Sequence, residues 1–317
     1  MNGMQSDLVV LKLETSNAII EASFNPLGAR QVSLAYNGAN ALQPYDLTRT
    51  PPFATGFVMA PWANRMRDGS WTDSSGVTHV NPISEVRTNT ALHGLLLETV
   101  YQVQDRTASS VTFATRILPT DGYPFDLSFS VTYELNAEGF TATHRATNHS
   151  STPAPFQTGA HPYLVIEGIP TADLEIKVPA ASWWRVDGRL LPVGVEPVGG
   201  TSYDSRMFRR LGDYCIDNGF TDLSPEGDGR TRTIIKAPAS LQDKRVIAVW
   251  QDSKFPQVHI FSTPIYPAEP ATGKVIHGIT VEPVTAGPDA FNTGVDLIQL
   301  SPESEWAGSW GIQLLDW

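Results

Sequence analysis

Apolar and polar residues alternate with a period of two along much of this 317-residue chain. That spacing puts successive side chains on opposite faces of a β-strand. Residues 8–13, 18–24 and 30–36 read as three opening strands, with turn chemistry at Asn25-Pro26-Leu27-Gly28 and Asn37-Gly38. The beat returns at 111–117, 127–133 and 140–148, with Asn136-Ala137-Glu138-Gly139 as a hairpin turn before the last of these. Further strands are predicted at 173–178, 232–236, 245–251, 257–262, 278–282 and 311–317. No stretch carries the apolar stripe of a long helix; short helical turns are expected after Ser301-Pro302 and Gly287-Pro288-Asp289. There is no fixed-period repeat and no linker-like shift in composition. The pattern therefore predicts an all-β protein, one antiparallel domain over residues 1–317, with two large sheets packed face to face. Polar residues on one concave sheet face would form an open, sugar-sized groove.

Composition supports this and narrows the partners. With 41% hydrophobic and 17% charged residues the chain can bury a full core, and its 24 prolines and 25 glycines are dispersed as turns between short strands require. A net charge of −11 repels phosphate backbones and anionic bilayers, so neither nucleic acid nor a membrane surface is an expected partner. Cys215 is the single cysteine, which excludes an internal disulfide and a thiolate metal cluster. Met1–Leu13 lacks the pattern of a leader peptide and no apolar run is long enough to span a membrane, so a cytoplasmic location is expected. No Gly-x-Ser-x-Gly elbow and no glycine-rich phosphate loop occurs, and His93 and His161 lack metal-ligating neighbours close in sequence.

Six short stretches carry candidate chemistry. In Thr158-Gly159-Ala160-His161-Pro162-Tyr163-Leu164, small residues leave room beside a histidine and Pro162 fixes the direction of the chain. In Pro61-Trp62-Ala63-Asn64-Arg65-Met66-Arg67-Asp68-Gly69-Ser70-Trp71, fixed donors stand between two tryptophans; sugars need such donors and flat apolar faces. Read alone, the same residues make a surface turn with Arg65 in an ordinary ion pair. His93, before Gly94, is placed at a loop-to-strand junction, and Asp217 precedes Asn218-Gly219, itself good turn chemistry. His259 faces away from Val258 and Ile260, into a groove or into water. Glu282 shares a face with Thr280, opposite Ile279 and Val281, and Pro283 is expected to end pairing just beyond it. A carboxyl there is partly desolvated and titrates above its free value, as suits a base near neutral pH.

Taken in order, Asn64-Arg65, Leu92-His93-Gly94, His161-Pro162-Tyr163, Asp217 and Val281-Glu282-Pro283 resemble the aldose 1-epimerase (galactose mutarotase) family. The wording at 61–65 and 159–164 is closest to a bacterial subgroup, and the similarity runs to Leu300-Ser301-Pro302. The resemblance implies a large antiparallel β supersandwich, no cofactor, and interconversion of the α and β anomers of a free hexose. His161 matches the general acid that protonates the ring oxygen, and Glu282 the base that takes the proton from the C1 hydroxyl. Asn64, Arg65, His93 and Asp217 match sugar-holding positions; Tyr163 and His259 are counted with them. An acid and a base on opposite sides of the C1–O5 bond suffice for a reaction that already proceeds in water, and a histidine near its ordinary pKa can give and regain a proton. The two groups are expected to face each other across a gap one pyranose ring wide. Leu164, Val165 and Asn218 depart from the family's usual residues, and His259 stands where many members have glutamine, so the preferred sugar is left open.

A monosaccharide partner and a monomer or homodimer are expected. Two other readings compete: a non-catalytic sugar-binding module on the same scaffold, and a hexose-phosphate mutarotase with Arg67, Arg209 and Arg210 as a basic rim. A polysaccharide lyase on a related sandwich fits less well, because the long helical domain of such enzymes is missing here.

Overall fold

The computed structural model describes residues 8–269 and 272–317. Among these the strands form sheets of nine, seven and four, with short two-stranded ribbons between them. Of the stretch read as lacking a leader, residues 1–7 lie outside the described part. The nine-stranded sheet runs Gln102–Arg106, Ser110–Ile117, Leu127–Asn136, Gly139–Asn148, Glu305–Leu315, Val246–Gln251, Thr231–Lys236, Glu175–Lys177, Arg209–Arg210. The seven-stranded sheet runs Pro192–Pro197, Ala180–Val186, Ile216–Leu223, Gln257–Glu269, Lys274–Val284, Gly159–Ala160, Val58–Met59. Both are antiparallel throughout their ladders.

Period-two patterning becomes burial directly. Leu127, Phe129, Val131, Tyr133 and Leu135 point inward while their neighbours are half-exposed, and the hairpin closes with Asn136 opposite Gly139. One apolar cluster draws on all three large sheets; Phe24 of the four-stranded sheet stacks on Tyr133 with ring centroids 4.2 Å apart. His144, inward on Gly139–Asn148, is fully buried and fully used. Its Nδ1 meets Thr158 Oγ1 at 2.9 Å, beside the site strand Gly159–Ala160, and its Nε2 accepts from Trp310 Nε1 at 3.0 Å.

Several expectations need correction. Asp217-Asn218-Gly219 is not a turn: it lies inside Ile216–Leu223, with Gly219 opposite His259. A Cβ on Gly219 would stand 3.0 Å from Trp184 Cδ1, so the glycine serves a close approach within a strand. Pro283 does not end pairing, since it stands opposite Val258 and Val284 opposite Gln257. After Gly287-Pro288-Asp289 comes the short helix Ala290–Thr293, whereas Ser301-Pro302 opens only a turn. No helix of the described residues is long and apolar enough to cross a membrane.

Candidate active site

Asp217, His259, Phe261 and Glu282 share the outer face of three adjacent strands of the seven-stranded sheet: Phe261 lies opposite Asp217, and His259 opposite Glu282. From Gly278 onward the strand Lys274–Val284 is buried on both faces, because the 52–57 turn and the ribbon Arg65–Arg67/Thr90–Leu92 cover what would be its solvent side. Between them lies a cavity of about 290 Å³ lined by Phe53, Asn64, Arg65, Glu85, His93, His161, Asp217, His259, Phe261 and Glu282, with Arg87 at its rim.

The ribbon brings Asn64 and His93 abreast. Both residues, like Gly94, have positive φ (59°, 62° and 81°), a region Asn and His visit more readily than most residues. The backbone N–H of His93 donates to the Asn64 carbonyl at 3.0 Å, and that of Asn64 donates to His93 Nδ1 at 3.2 Å. A Cβ at Gly94 would lie 2.1 Å from the Ala60 carbonyl oxygen, so only glycine fits beside the histidine. Gly94→Ala is expected to cost about 2 kcal/mol or more of stability by urea unfolding.

Arg65 is held by Glu85, at 2.6 Å from Nε to Oε2 and 3.2 Å from Nη2 to Oε1, and lies 3.4 Å from Asp217 Oδ2. It thus both makes an ion pair and lines the cavity. Burial would raise Asp217, but His259 and Arg65 outweigh it and hold the carboxylate well below its ordinary range. His259 donates Nε2–H to Asp217 Oδ1 at 2.8 Å. Its burial is offset by Glu282 and Asp217, and its pKa is raised. His93 is pushed well down by burial and by the neighbouring His161 and Arg65.

His161 is gripped by the 52–57 turn: its N–H donates to the Phe57 carbonyl at 3.0 Å and its carbonyl accepts from Gly56 at 2.9 Å. Its Nε2 lies 3.3 Å from Glu282 Oε1, and its Nδ1 has no hydrogen-bond partner among the described residues. The pair therefore does not face each other across a ring-wide gap. Gly159 pairs with Val284, which sets the two residues side by side on one wall. Burial lowers His161 to about 3, far from the ordinary imidazole value expected from sequence, and raises Glu282 to about 8. Two charges cost more to bury here than none, so burial favours the neutral pair, with its one titratable proton on Glu282.

Of the eight residues singled out from sequence, seven line this cavity. Tyr163 does not: it is buried behind His161, stacked on its ring with centroids 5.6 Å apart, where no sugar reaches it. Trp62 and Trp71, expected as sugar platforms, pack instead against Phe291 in the core. The aromatic faces of the cavity are Phe53 and Phe261, 5.7 Å apart edge to face. Phe53, Phe261, Glu85 and Arg87 were missed; only the alternation that put His259 on one face could have drawn Phe261 along. Arg67 pairs with Asp289, Arg210 with Asp173 and Asp213, and Arg209 stacks on Tyr214, so the expected basic rim does not form. Among the described residues no group of His, Cys, Asp or Glu is arranged to hold a metal ion.

The family model for aldose 1-epimerase matches residues 11–310. The chain belongs to the aldose 1-epimerase family. It is 28% identical to the uncharacterized protein YihR of Escherichia coli K12 over 282 residues, 88% of this chain and 85% of that one. It is 31% identical to galactose mutarotase of Rattus norvegicus over 174 residues, 53% of this chain and 49% of that one. A GalM/aldose epimerase homologue from C. elegans superposes with a TM-score of 0.82 at 17% identity, covering 97% and 98% of the two chains. Galactose 1-epimerase from Lactobacillus acidophilus gives 0.76 at 17%, covering 98% and 99%. These structures establish the shared fold, a galactose mutarotase-like supersandwich, and family membership supports a mutarotase-type function.

Proposed function

We propose that the cavity opens and recloses the ring of a free hexose, so exchanging its α and β anomers. The observation that carries this reading is the His161–Glu282 pair, 3.3 Å apart on the wall of a cavity of about 290 Å³. That volume is at the small end for ligand pockets and suits one sugar ring. The C1 hydroxyl oxygen and the ring oxygen hang on one carbon, two bonds apart. Adjacent acid and base groups therefore match them better than groups a ring apart.

Ring opening takes the hydroxyl proton to Glu282 while His161 delivers one to the ring oxygen; the C1–O5 bond breaks and a carbonyl forms at C1. Rotation about C1–C2 turns the other carbonyl face, and the same two transfers in reverse close the ring. The catalytic form, imidazolium with carboxylate, and the resting form, imidazole with carboxylic acid, hold the same number of protons. The short contact lets the proton cross between them as a polar sugar enters. Arg65, His93, Asp217 and His259 present donors and acceptors to the hydroxyls, and Phe53 and Phe261 meet the apolar ring face.

Polarimetry on freshly dissolved α-glucose and α-galactose tests this. The protein is expected to speed the approach to equilibrium rotation for at least one of them; if it leaves the spontaneous rate of every common aldose unchanged, the reading fails and the sugar-binding module stands. One observation favours a variant of the reading: Arg87, exposed at the rim and held among the described residues only by a 3.5 Å contact to Glu85, is placed to meet a phosphate. A higher kcat/KM for a hexose 6-phosphate than for the hexose, lost in Arg87→Ala, would establish it.

A further inference from the structure

Three histidines line the cavity, and hydrogen bonds with unambiguous donors decide which of them can exchange a proton. A backbone N–H can only donate. The Asn64 N–H at 3.2 Å from His93 Nδ1 therefore makes that nitrogen an acceptor and puts the ring proton on Nε2. The Arg65 N–H, at 2.8 Å from Asn64 Oδ1, fixes which end of the Asn64 amide is oxygen. Its NH2 end must then face His259, where Nδ2 lies 3.3 Å from Nδ1. His259 Nδ1 is thus also an acceptor, and Nε2 carries the proton donated to Asp217 at 2.8 Å. With Arg65 Nη2 on Asp217 Oδ2, the four residues close a ring of hydrogen bonds. His161 stands outside it, with Nδ1 unpartnered and Nε2 on Glu282.

We propose that Asn64 is a positioning residue whose amide keeps Nδ1 of His259 bare and its Nε2–H on Asp217, so that His161 alone among the cavity histidines is left to exchange a proton. His259 needs such restraint. Glu282 stands opposite it on one neighbouring strand, Asp217 lies diagonally on the other, Arg65 beyond Asp217, and His93 and His161 across the cavity. Against its burial, Glu282 when ionised and the ionised Asp217 favour a cationic His259. Protonation at Nδ1 would set N–H against the Asn64 NH2, donor against donor, and the amide opposes it. A proton parked on His259 would compete with the one that the His161–Glu282 pair must pass. The catalytic consequence rests on the mutarotase reading; the placement of ring protons does not.

Nitrogen-15 NMR of the imidazoles in the full-length protein, without substrate, decides the placement. At about pH 8.5, above the ordinary imidazole range, His93 and His259 are expected in the Nε2–H form with bare Nδ1. An Nδ1–H form at His259 overturns the proposal without any variant. In Asn64→Asp the new carboxylate accepts from Nδ1–H, so His259 should become imidazolium and stay so to higher pH. His93, bonded to the backbone of residue 64, should keep its wild-type signals and reports an intact fold. The same variant should lose kcat on the order of tenfold or more with little change in KM. Unchanged His259 signals with a raised KM alone would make Asn64 an ordinary sugar contact and sink the proposal. If the wild type anomerises no aldose, the mutarotase reading falls while the NMR result still judges the proton placement.

Discussion

Glu282→Gln is expected to anomerise aldoses about 10²- to 10⁴-fold more slowly than the native chain in kcat/KM. Glutamine keeps the shape of the side chain and can still meet His161 Nε2, 3.3 Å away in the native protein. It cannot accept the hydroxyl proton, so the loss is one of chemistry and not of folding. His161→Ala should fall into the same range, since the ring oxygen then leaves without a proton. If the two groups pass one proton between them, as proposed, the double variant should be little worse than the poorer single one, as for residues that act as a unit. Polarimetry on the three variants tests this. Losses that multiply would mean that the two side chains act in separate steps, and the paired mechanism would be wrong.

The same glutamine substitution should make the fold more stable. Burial raises the Glu282 carboxyl from 4.5 to about 8. The native chain therefore holds a proton that the unfolded chain releases as pH rises through the ordinary carboxylate range. Stability from this group is complete below about pH 4.5 and is lost as pH climbs toward 8. At pH 7 the native carboxyl costs roughly 3 kcal/mol relative to a neutral side chain of the same shape. Urea unfolding should show the two proteins nearly equal at low pH and Glu282→Gln the more stable by that amount at neutrality. A difference independent of pH would show that Glu282 is not held protonated by its burial. His161 works in the other direction. Burial lowers it to about 3, so its contribution fades as pH falls below the ordinary imidazole value of 6.5. The proposed acid–base pair thus destabilises the fold from both sides of the pH range, a cost of the kind expected at a desolvated site.

Strands with one buried face were legible because burial writes a period of two into the chain, as in Leu127–Asn136. Ala180–Val186 and Pro192–Pro197 escaped notice: the first carries tryptophans on both faces and the second is an exposed edge with prolines at its ends. Ile216–Leu223 was hidden by Asp217-Asn218-Gly219, a good turn sequence in isolation that here serves the approach of Trp184. Within the site, residues at strand ends and beside small residues could be picked out one by one. Their partnerships could not, since Arg65 meets Glu85, Asn64 meets His259, and His161 meets Glu282 only through the ladders that join distant segments. Geometry explains the two largest errors as well. A sequence does not reveal that Tyr163 turns behind His161, nor that Gly159 pairs with Val284 and closes the supposed gap.

Glu305–Leu315 lies in the middle of the nine-stranded sheet, between Gly139–Asn148 and Val246–Gln251, and Trp310 within it caps the buried His144. During synthesis the two halves of that sheet consequently wait, with unpaired edges and exposed apolar faces, until residues 305–315 have left the ribosome. A nascent chain stalled short of residue 305 therefore exposes a sticky edge that invites aggregation or chaperone capture.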